Sequence, residues 1–347
     1  MLMSCAMTVF LGCYTDSAHP NGLKVLRVDE TAGRLAVVAE YPVSNALYQA
    51  LSPDGAVLYS CTGEGLASFS VDDARLGGID GVKLGNCVCH VAAMLDGKRV
   101  VFADYLGGFA GSVVVEDGKL GEIVTHRHSG SGPNLPRQDK AHCHQTLPLP
   151  DGSGYAVCDL GLDEIVTYPD VRVFKTAPAG AGPRHLLFHP NGRLAFLVSE
   201  LGNLVTSLSW SRADGFSVID TLPTLANAAP VNPANRISKD DPGHAAAAIR
   251  FTPDMKRVVV SNRGEDSLAV YDFDGASGRL AFKSRTFLAG SWPRDFIFVS
   301  DNLALVALER SGEVHMLRYD VATGDFKTIA TLGGLFRPVA LCKGVNG

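Results

Sequence analysis

Residues 182–200 read GPRHLLFHPNGRLAFLVSE. Two apolar runs flank His189-Pro190-Asn191-Gly192, whose Asn-Gly pair favours a tight turn. The stretch predicts a β-hairpin that carries Arg184 and His185 at one open end and Glu200 at the other, with few charges between. The same unit, an apolar run, a turn and a more apolar run, recurs as ALYQALSPDGAVLYSC from Ala46, CHVAAMLDGKRVVFADY from Cys89 and HCHQTLPLPDGSGYAVCDL from His142. It returns as HAAAAIRFTPDMKRVVVSNR from His244 and PRDFIFVSDNLALVALER from Pro293.

The turn residues Asp54, Asp96, Asp151, Asn191, Asp254 and Asp301 are spaced 42, 55, 40, 63 and 47 residues apart. Four-stranded propeller blades take roughly 40–45 residues each, so two intervals carry insertions. A weaker strand pair follows each hairpin, as in GLASFSVD and SLAVYDFD. RPVALC near the C-terminus reads as an inner strand without a downstream partner, and TVFLGCYT near the N-terminus as a second strand without an upstream one. Pairing them closes a ring and removes its open edges. The predicted fold is all-β, one domain over residues 1–347: a seven-bladed propeller of four-stranded antiparallel blades, closed by both termini in blade one.

Composition agrees. Of 347 residues, 46% are hydrophobic and 19% charged, with 37 Gly and 18 Pro, a balance that favours many short strands over long helices. The net charge of −5 is unsegregated and argues against a nucleic-acid surface. The start, MLMSCAMTVFLGC, has no basic region and a short apolar stretch, so it reads as a strand rather than a signal peptide. No run approaches the ~20 apolar residues of a membrane span. The eight cysteines contain no CxxC pair, and most lie in apolar strand-like runs, as buried thiols do. Reduced cysteines and a cytoplasmic location are expected. No cofactor is expected, and the partner is a small molecule met by a monomer or weak homodimer.

In a propeller the start of each first strand and the end of each second strand emerge at one rim. That rim receives His142, His144 and Asp159 from blade four, Arg184, His185 and Glu200 from blade five, and His244 and Arg263 from blade six. Blade seven adds Arg294, Glu309 and Arg310, blade three His90 and Asp104, and blade one Arg337. The opposite rim receives only the Asp-Gly turns. Several arginines around a channel suit a carboxylate or phosphate. A His with a Glu beside it can accept and return a proton near neutral pH. There is no G-x-S-x-G elbow, so attack by activated water is favoured over a covalent intermediate. The rim is richer in Arg and His than in Asp and Glu, which disfavours a calcium site. In the loop before blade four, Arg137 and Gln138 are expected to touch ligand, while His126 and His128 face solvent. The polar, Pro-rich stretch 226–243 is read either as a lid or as a disordered insertion.

SGPNLPRQDKAHCHQ, CDLGLDEIVTY, GAGPRHLLFHPNGRLAFLVSEL and VSNRGEDSLAVY together resemble the seven-bladed lactonase family, with TVFLGCYT and GLKVLRVD resembling its first blade. Lactonising enzymes of 3-carboxymuconate look similar. The resemblance implies a hydrolase of sugar lactones, 6-phosphogluconolactonase-like, or alternatively a muconate cycloisomerase; a propeller that only binds its ligand is the third reading. It also implies roles for His144, Arg184 and Glu200 as catalytic residues and for Arg263 and Arg294 as anion binders. The rim and loop positions add Arg137, Gln138, His142, Asp159, His185 and His244 as expected substrate-binding residues. Two positions depart from the family pattern. Ala248 stands where an acidic residue is common, and Leu308-Glu309 where Asn-Gln is common; both are expected near the mouth.

Overall fold

The computed structural model describes residues 6–227 and 243–345. Its strands form seven blades around one axis. Blade one pairs Pro338–Lys343 with Met7–Cys13, which continues into Leu23–Asp29 and Arg34–Tyr41. The join is antiparallel, from Val9 opposite Lys343 to Cys13 opposite Pro338, so the two ends of the chain close the ring as the unpartnered apolar runs require.

Blades four to seven are separate four-stranded sheets that begin at Cys143, Pro183, Ala245 and Pro293. Blades two and three differ from the expected pattern, because they are joined into one seven-stranded sheet. The joint is the 19-residue strand Arg75–Ala93, whose first part pairs with Gly63–Asp72 of blade two and whose last part pairs with Arg99–Asp104 of blade three. Its Gly77, Gly78, Gly81 and Gly85 let one strand bend from an outer edge into the channel without breaking its ladder.

The repeated turns follow from their side chains. Asp54, Asp96, Asp151, Asn191 and Asp254 each accept, through Oδ1, the N–H two residues on. The next position is left-handed, φ 67° at Gly192; blade six places Met255 there at φ 57°.

Blade faces pack on blade faces. Seven apolar clusters fill the seven junctions, for example Leu11, Leu305 and Met316 between blades one and seven, and Leu186, Leu197 and Cys158 between four and five. The hydrophobic effect thus acts between blades and leaves the axis free for polar groups. Ala248 belongs to this packing: it is fully buried among Phe296, Val306 and Leu308 at the junction of blades six and seven. It therefore lies in the core and not at the mouth. The 226–243 stretch falls, over 228–242, outside the described residues.

Candidate active site

Two rings of equivalent positions build the mouth. The first lies on the inner strands. In blades four, five and seven the pairing slips by one residue just after the strand begins, and the extra residue is His144, Arg184 or Arg294. The same slip falls on Cys89 in blade three, Val339 in blade one and the Ala247–Ala248 pair in blade six. A β-bulge re-aims the extra side chain. Here it turns His144, Arg184 and Arg294 out of the blade faces toward the axis.

The second ring lies just past the second strands. The backbone N–H groups of Tyr14, Tyr105, Leu160, Glu200 and Glu309 each donate to the carbonyl of the residue just before an inner-strand pairing begins, namely Arg337, Cys87 (within the long strand), His142, Gly182 and Trp292. The five residues are therefore structurally equivalent, and four of them carry groups that reach the cluster.

Glu200 is its centre. It is 2% exposed. Its Oε2 accepts from Arg184 Nε at 2.9 Å and meets Arg263 Nη2 at 2.9 Å, while Oε1 accepts from Arg137 Nη2 at 2.6 Å. His144 Nε2 stands 3.9 Å from Oε2. Glu309 forms a second centre, with Arg294 Nη1 at 3.2 Å on Oε2 and Arg337 Nη2 at 2.5 Å on Oε1. Tyr14 lies beneath Arg294 and Arg337, their guanidinium carbons 5.5 and 4.0 Å from its ring centre. Tyr105 accepts a hydrogen bond from Arg137 at 3.1 Å. Backbone carbonyls complete the frame: Ala247 accepts from Arg184, and Ala245 and Ala246 accept from Arg263. Five guanidinium groups thus face two carboxylates.

Charge states follow. Burial works to raise the Glu200 carboxyl, but Arg263, Arg137 and Arg184 outweigh it and hold the group well below the usual carboxylate range. Burial, then Arg184, pushes the His144 imidazole well below its ordinary value, with Glu200 opposing. His185 is pushed down in the same direction by burial, Arg184 and His144. Burial and the neighbouring Arg263 lower Arg184 to about 9, which leaves it charged at neutral pH. The site at neutral pH is therefore ionised arginine and glutamate beside neutral histidine.

The structure brings together His144, Arg184, Glu200, Arg263, Arg137 and Arg294, with His185 behind Arg184. Other expected residues serve elsewhere. Gln138 is fully buried and turned inward, donating to the Leu160 carbonyl and Asp163 and accepting from Asn134 N–H, so it braces its own loop and does not meet a ligand. Asp159 is likewise buried and accepts the N–H groups of His142, Gly161 and Leu162. Asp104 does the same work for Asn86, Cys87 and Gly107. A short aspartate at the last strand position folds back on the backbone, whereas the longer glutamate one residue later reaches the axis. His142 stacks on Tyr105 at 4.4 Å and bonds Asp139, which positions the tyrosine whose hydroxyl meets Arg137. His244 is exposed, and its carbonyl accepts from the Asn203 side chain. Arg310 is exposed and lies 3.5 Å over the Trp292 ring.

His128 does not face solvent. Its side chain is 5% exposed, with Nδ1 2.8 Å from Asp159 and Nε2 2.9 Å from the Tyr168 hydroxyl. With Cys143 it forms a group whose ligand-type atoms lie within 4.8 Å of one another. The group has the donors for a metal ion, yet its hydrogen bonds already satisfy it. Sequence reasoning missed Tyr14 and Tyr105 as site residues. The signal was present, since both follow the second strand of their blade as Glu200 does.

The sequence profile of the family described as "Lactonase, 7-bladed beta-propeller" matches residues 8–338. An uncharacterised protein of Lactococcus lactis is 32% identical over 91% of this chain and 93% of its own length. A 6-phosphogluconolactonase of Bacillus subtilis is 31% identical over 86% of this chain and 87% of its own. Among solved structures, a periplasmic gluconolactonase of Pseudomonas aeruginosa superposes with a TM-score of 0.87 at 26% identity, covering 99% of this chain and 100% of that one.

Proposed function

The chain belongs to the seven-bladed β-propeller lactonase family, and from that premise we propose that it opens a sugar δ-lactone bearing an anionic group, 6-phosphogluconolactone first among them, by direct attack of water. One observation carries the reading: a neutral histidine stands beside a carboxylate that three arginines keep ionised. The excess of guanidinium over carboxylate supplies the attraction for a phosphate or carboxylate on the substrate.

His144 acts as general base. A neutral imidazole accepts the proton of the attacking water, and the imidazolium it becomes lies 3.9 Å from Glu200. That imidazolium returns the proton to the ring oxygen as the lactone's acyl C–O bond breaks, leaving a carboxylate and a free hydroxyl. Glu200 itself is a poor base, because protonating it would leave three guanidinium groups without their counter-ion. It fixes those groups and stabilises the protonated histidine. Each guanidinium has five donors, and the named carboxylates and carbonyls use only part of them. Arg184 and Arg263 supply donors to the oxyanion that forms at the lactone carbonyl. Arg137 and Arg294, less buried at 23% and 19% side-chain exposure, hold the substrate's anionic group.

The test is hydrolysis of freshly prepared 6-phosphogluconolactone beside unphosphorylated gluconolactone, corrected for spontaneous opening. We expect His144→Ala to lower kcat by about 100-fold or more and Arg294→Ala to raise KM for the phosphorylated substrate alone. Absence of wild-type turnover on both lactones, with gluconate still bound, would replace the hydrolase by a binding propeller.

The same reading puts the enzyme in the cytoplasm, as a monomer or weak homodimer. The seven described cysteines are all free thiols, the form a reducing compartment maintains. Cell fractionation and sedimentation check the two statements.

A further inference from the structure

One residue further along the inner strands than the bulges of blades three and five lie His90 and His185. With Tyr48 and His144 they bring four rings from four blades together. Ring centres are 4.0 Å apart for Tyr48 and His90, 5.7 Å for His90 and His185, and 5.5 Å for His144 and His185. The cations that border them are engaged. Arg184 is held by Glu200 and the Ala247 carbonyl, while Arg250 donates to Asp295 at 2.6 Å and to the Tyr48 hydroxyl at 3.2 Å.

The imidazoles are not so well supplied. His185 meets Arg184, but both ring nitrogens of His90 and Nδ1 of His144 are buried without a hydrogen-bond partner among the described residues. His90 is 3% exposed. Three such atoms, on two rings that both pack against His185, are costly unless something polar joins them. Their chemistry says what. Burial, then the charges of Arg250 and Arg184, keeps the His90 ring neutral, so it offers one donor and one acceptor. That combination suits a hydroxyl group, which also donates once and accepts. It does not suit a second anion, which wants donors only.

We propose that these rings form a hydroxyl-binding chamber behind the arginine cluster, in which His90 and the inner nitrogen of His144 hold either water or an alcohol group of the ligand. The proposal deepens the lactonase reading and rests on it for the ligand's class. It gives His90 a positioning role: an oxygen bridged to His144 Nδ1 fixes which nitrogen of the base is free to take the proton from the attacking water.

Crystals of the wild-type protein, grown alone and with gluconate, test the chamber directly. An ordered oxygen within about 3.2 Å of a His90 ring nitrogen is expected. Water present in both crystals identifies water as the occupant, and its replacement by a gluconate hydroxyl identifies the ligand. No oxygen at His90 in either crystal overturns the proposal. Kinetics of His90→Phe and His90→Gln supply the second arm, with thermal melts to show that both fold. The Phe variant should lose about tenfold in kcat/KM, in kcat if water is held and in KM and gluconate affinity if a substrate hydroxyl is. The Gln variant, which keeps a donor and an acceptor, should recover most of it. Wild-type kinetics in both would sink the idea. Failure of the wild type on every lactone would remove the hydrolase reading, and the crystals would still decide the chamber.

Discussion

Blades five and seven begin alike. Each places a proline at the head of its inner strand (Pro183, Pro293), an arginine on the bulge after it (Arg184, Arg294) and a glutamate just past its second strand (Glu200, Glu309). In both, the glutamate accepts from its own blade's arginine, at 2.9 and 3.2 Å. The surroundings then diverge. Glu200 takes two further guanidiniums, from Arg137 and Arg263, and its own blade's arginine is 4% exposed. Glu309 takes one more, Arg337, which is 49% exposed. The residue after the bulge also differs: His185 in blade five extends the neutral histidine cluster, whereas Asp295 in blade seven pairs with Arg250 and caps the Leu341 N–H. One repeated device thus yields a closed floor on one side of the mouth and an adjustable wall on the other. The difference comes from the neighbours each blade meets, since the local geometry is shared.

Stability measures that divergence most directly. Glu200→Gln leaves three close guanidinium groups without a balancing charge, two of them almost fully buried, and we expect a loss of about 3–5 kcal/mol in urea unfolding. Glu309→Gln removes a carboxylate whose partners reach solvent and should cost about 1–2 kcal/mol. Equal losses would break the contrast and show that both centres are equally enclosed.

Acid should act through the blade-five side first. His90, His144 and His185 are all held well below the ordinary imidazole value, in each case first by burial. The folded protein therefore refuses protons that the unfolded chain accepts below about pH 6.5. Stability is complete above that pH and falls as pH drops below it, by about 1.4 kcal/mol per pH unit for each histidine. Glu200 behaves differently: its depressed value contributes stability in full above about pH 4.3, lost only as pH falls through its own low folded value. Urea titrations between pH 7 and 5 should show this slope, and His185→Gln should flatten it by one histidine's share. A flat curve down to pH 5 would mean that the carboxylates, on both sides alike, set the acid limit.

Much of this was legible in the sequence, for reasons that explain what was not. The hairpin repeat and its Asp-Gly turns announce blades because each is a local rule, and the unpartnered RPVALC and TVFLGCYT runs announce closure because an unpaired inner strand is costly. Rim membership of Arg184, Glu200 and Arg263 followed from topology. Orientation within the rim did not. Asp159 and Gln138 sit at the right rim and face the wrong way, because a backbone N–H cluster claims one and a loop carbonyl the other. Ala248 belongs to the core because the bulge in blade six, residues 247 and 248 opposite Ser261, places it among Phe296, Val306 and Leu308, and a bulge has no sequence mark of its own. The merger of blades two and three depends on the single strand Arg75–Ala93 serving both, where separate four-stranded blades were expected.

The adjustable wall offers the finest test. Arg337 is half exposed, bonds only Glu309 among the described side chains, and lies over Tyr14. An exposed ion pair of this kind contributes little to stability, about 0–1 kcal/mol, so Arg337→Met should melt like the wild type. Its charge still points a field into the mouth, and that field is screened by salt over a Debye length of about 10 Å at 0.1 M. The expected signature is a KM for 6-phosphogluconolactone raised by about threefold at low salt, with the gap closing as salt rises and kcat unchanged. Arg263→Met, on the closed floor, should instead lower kcat at every salt concentration, because its partner Glu200 is out of reach of screening ions. If the two variants shared one salt dependence, the mouth would have no floor and wall, and blades five and seven would be doing the same thing.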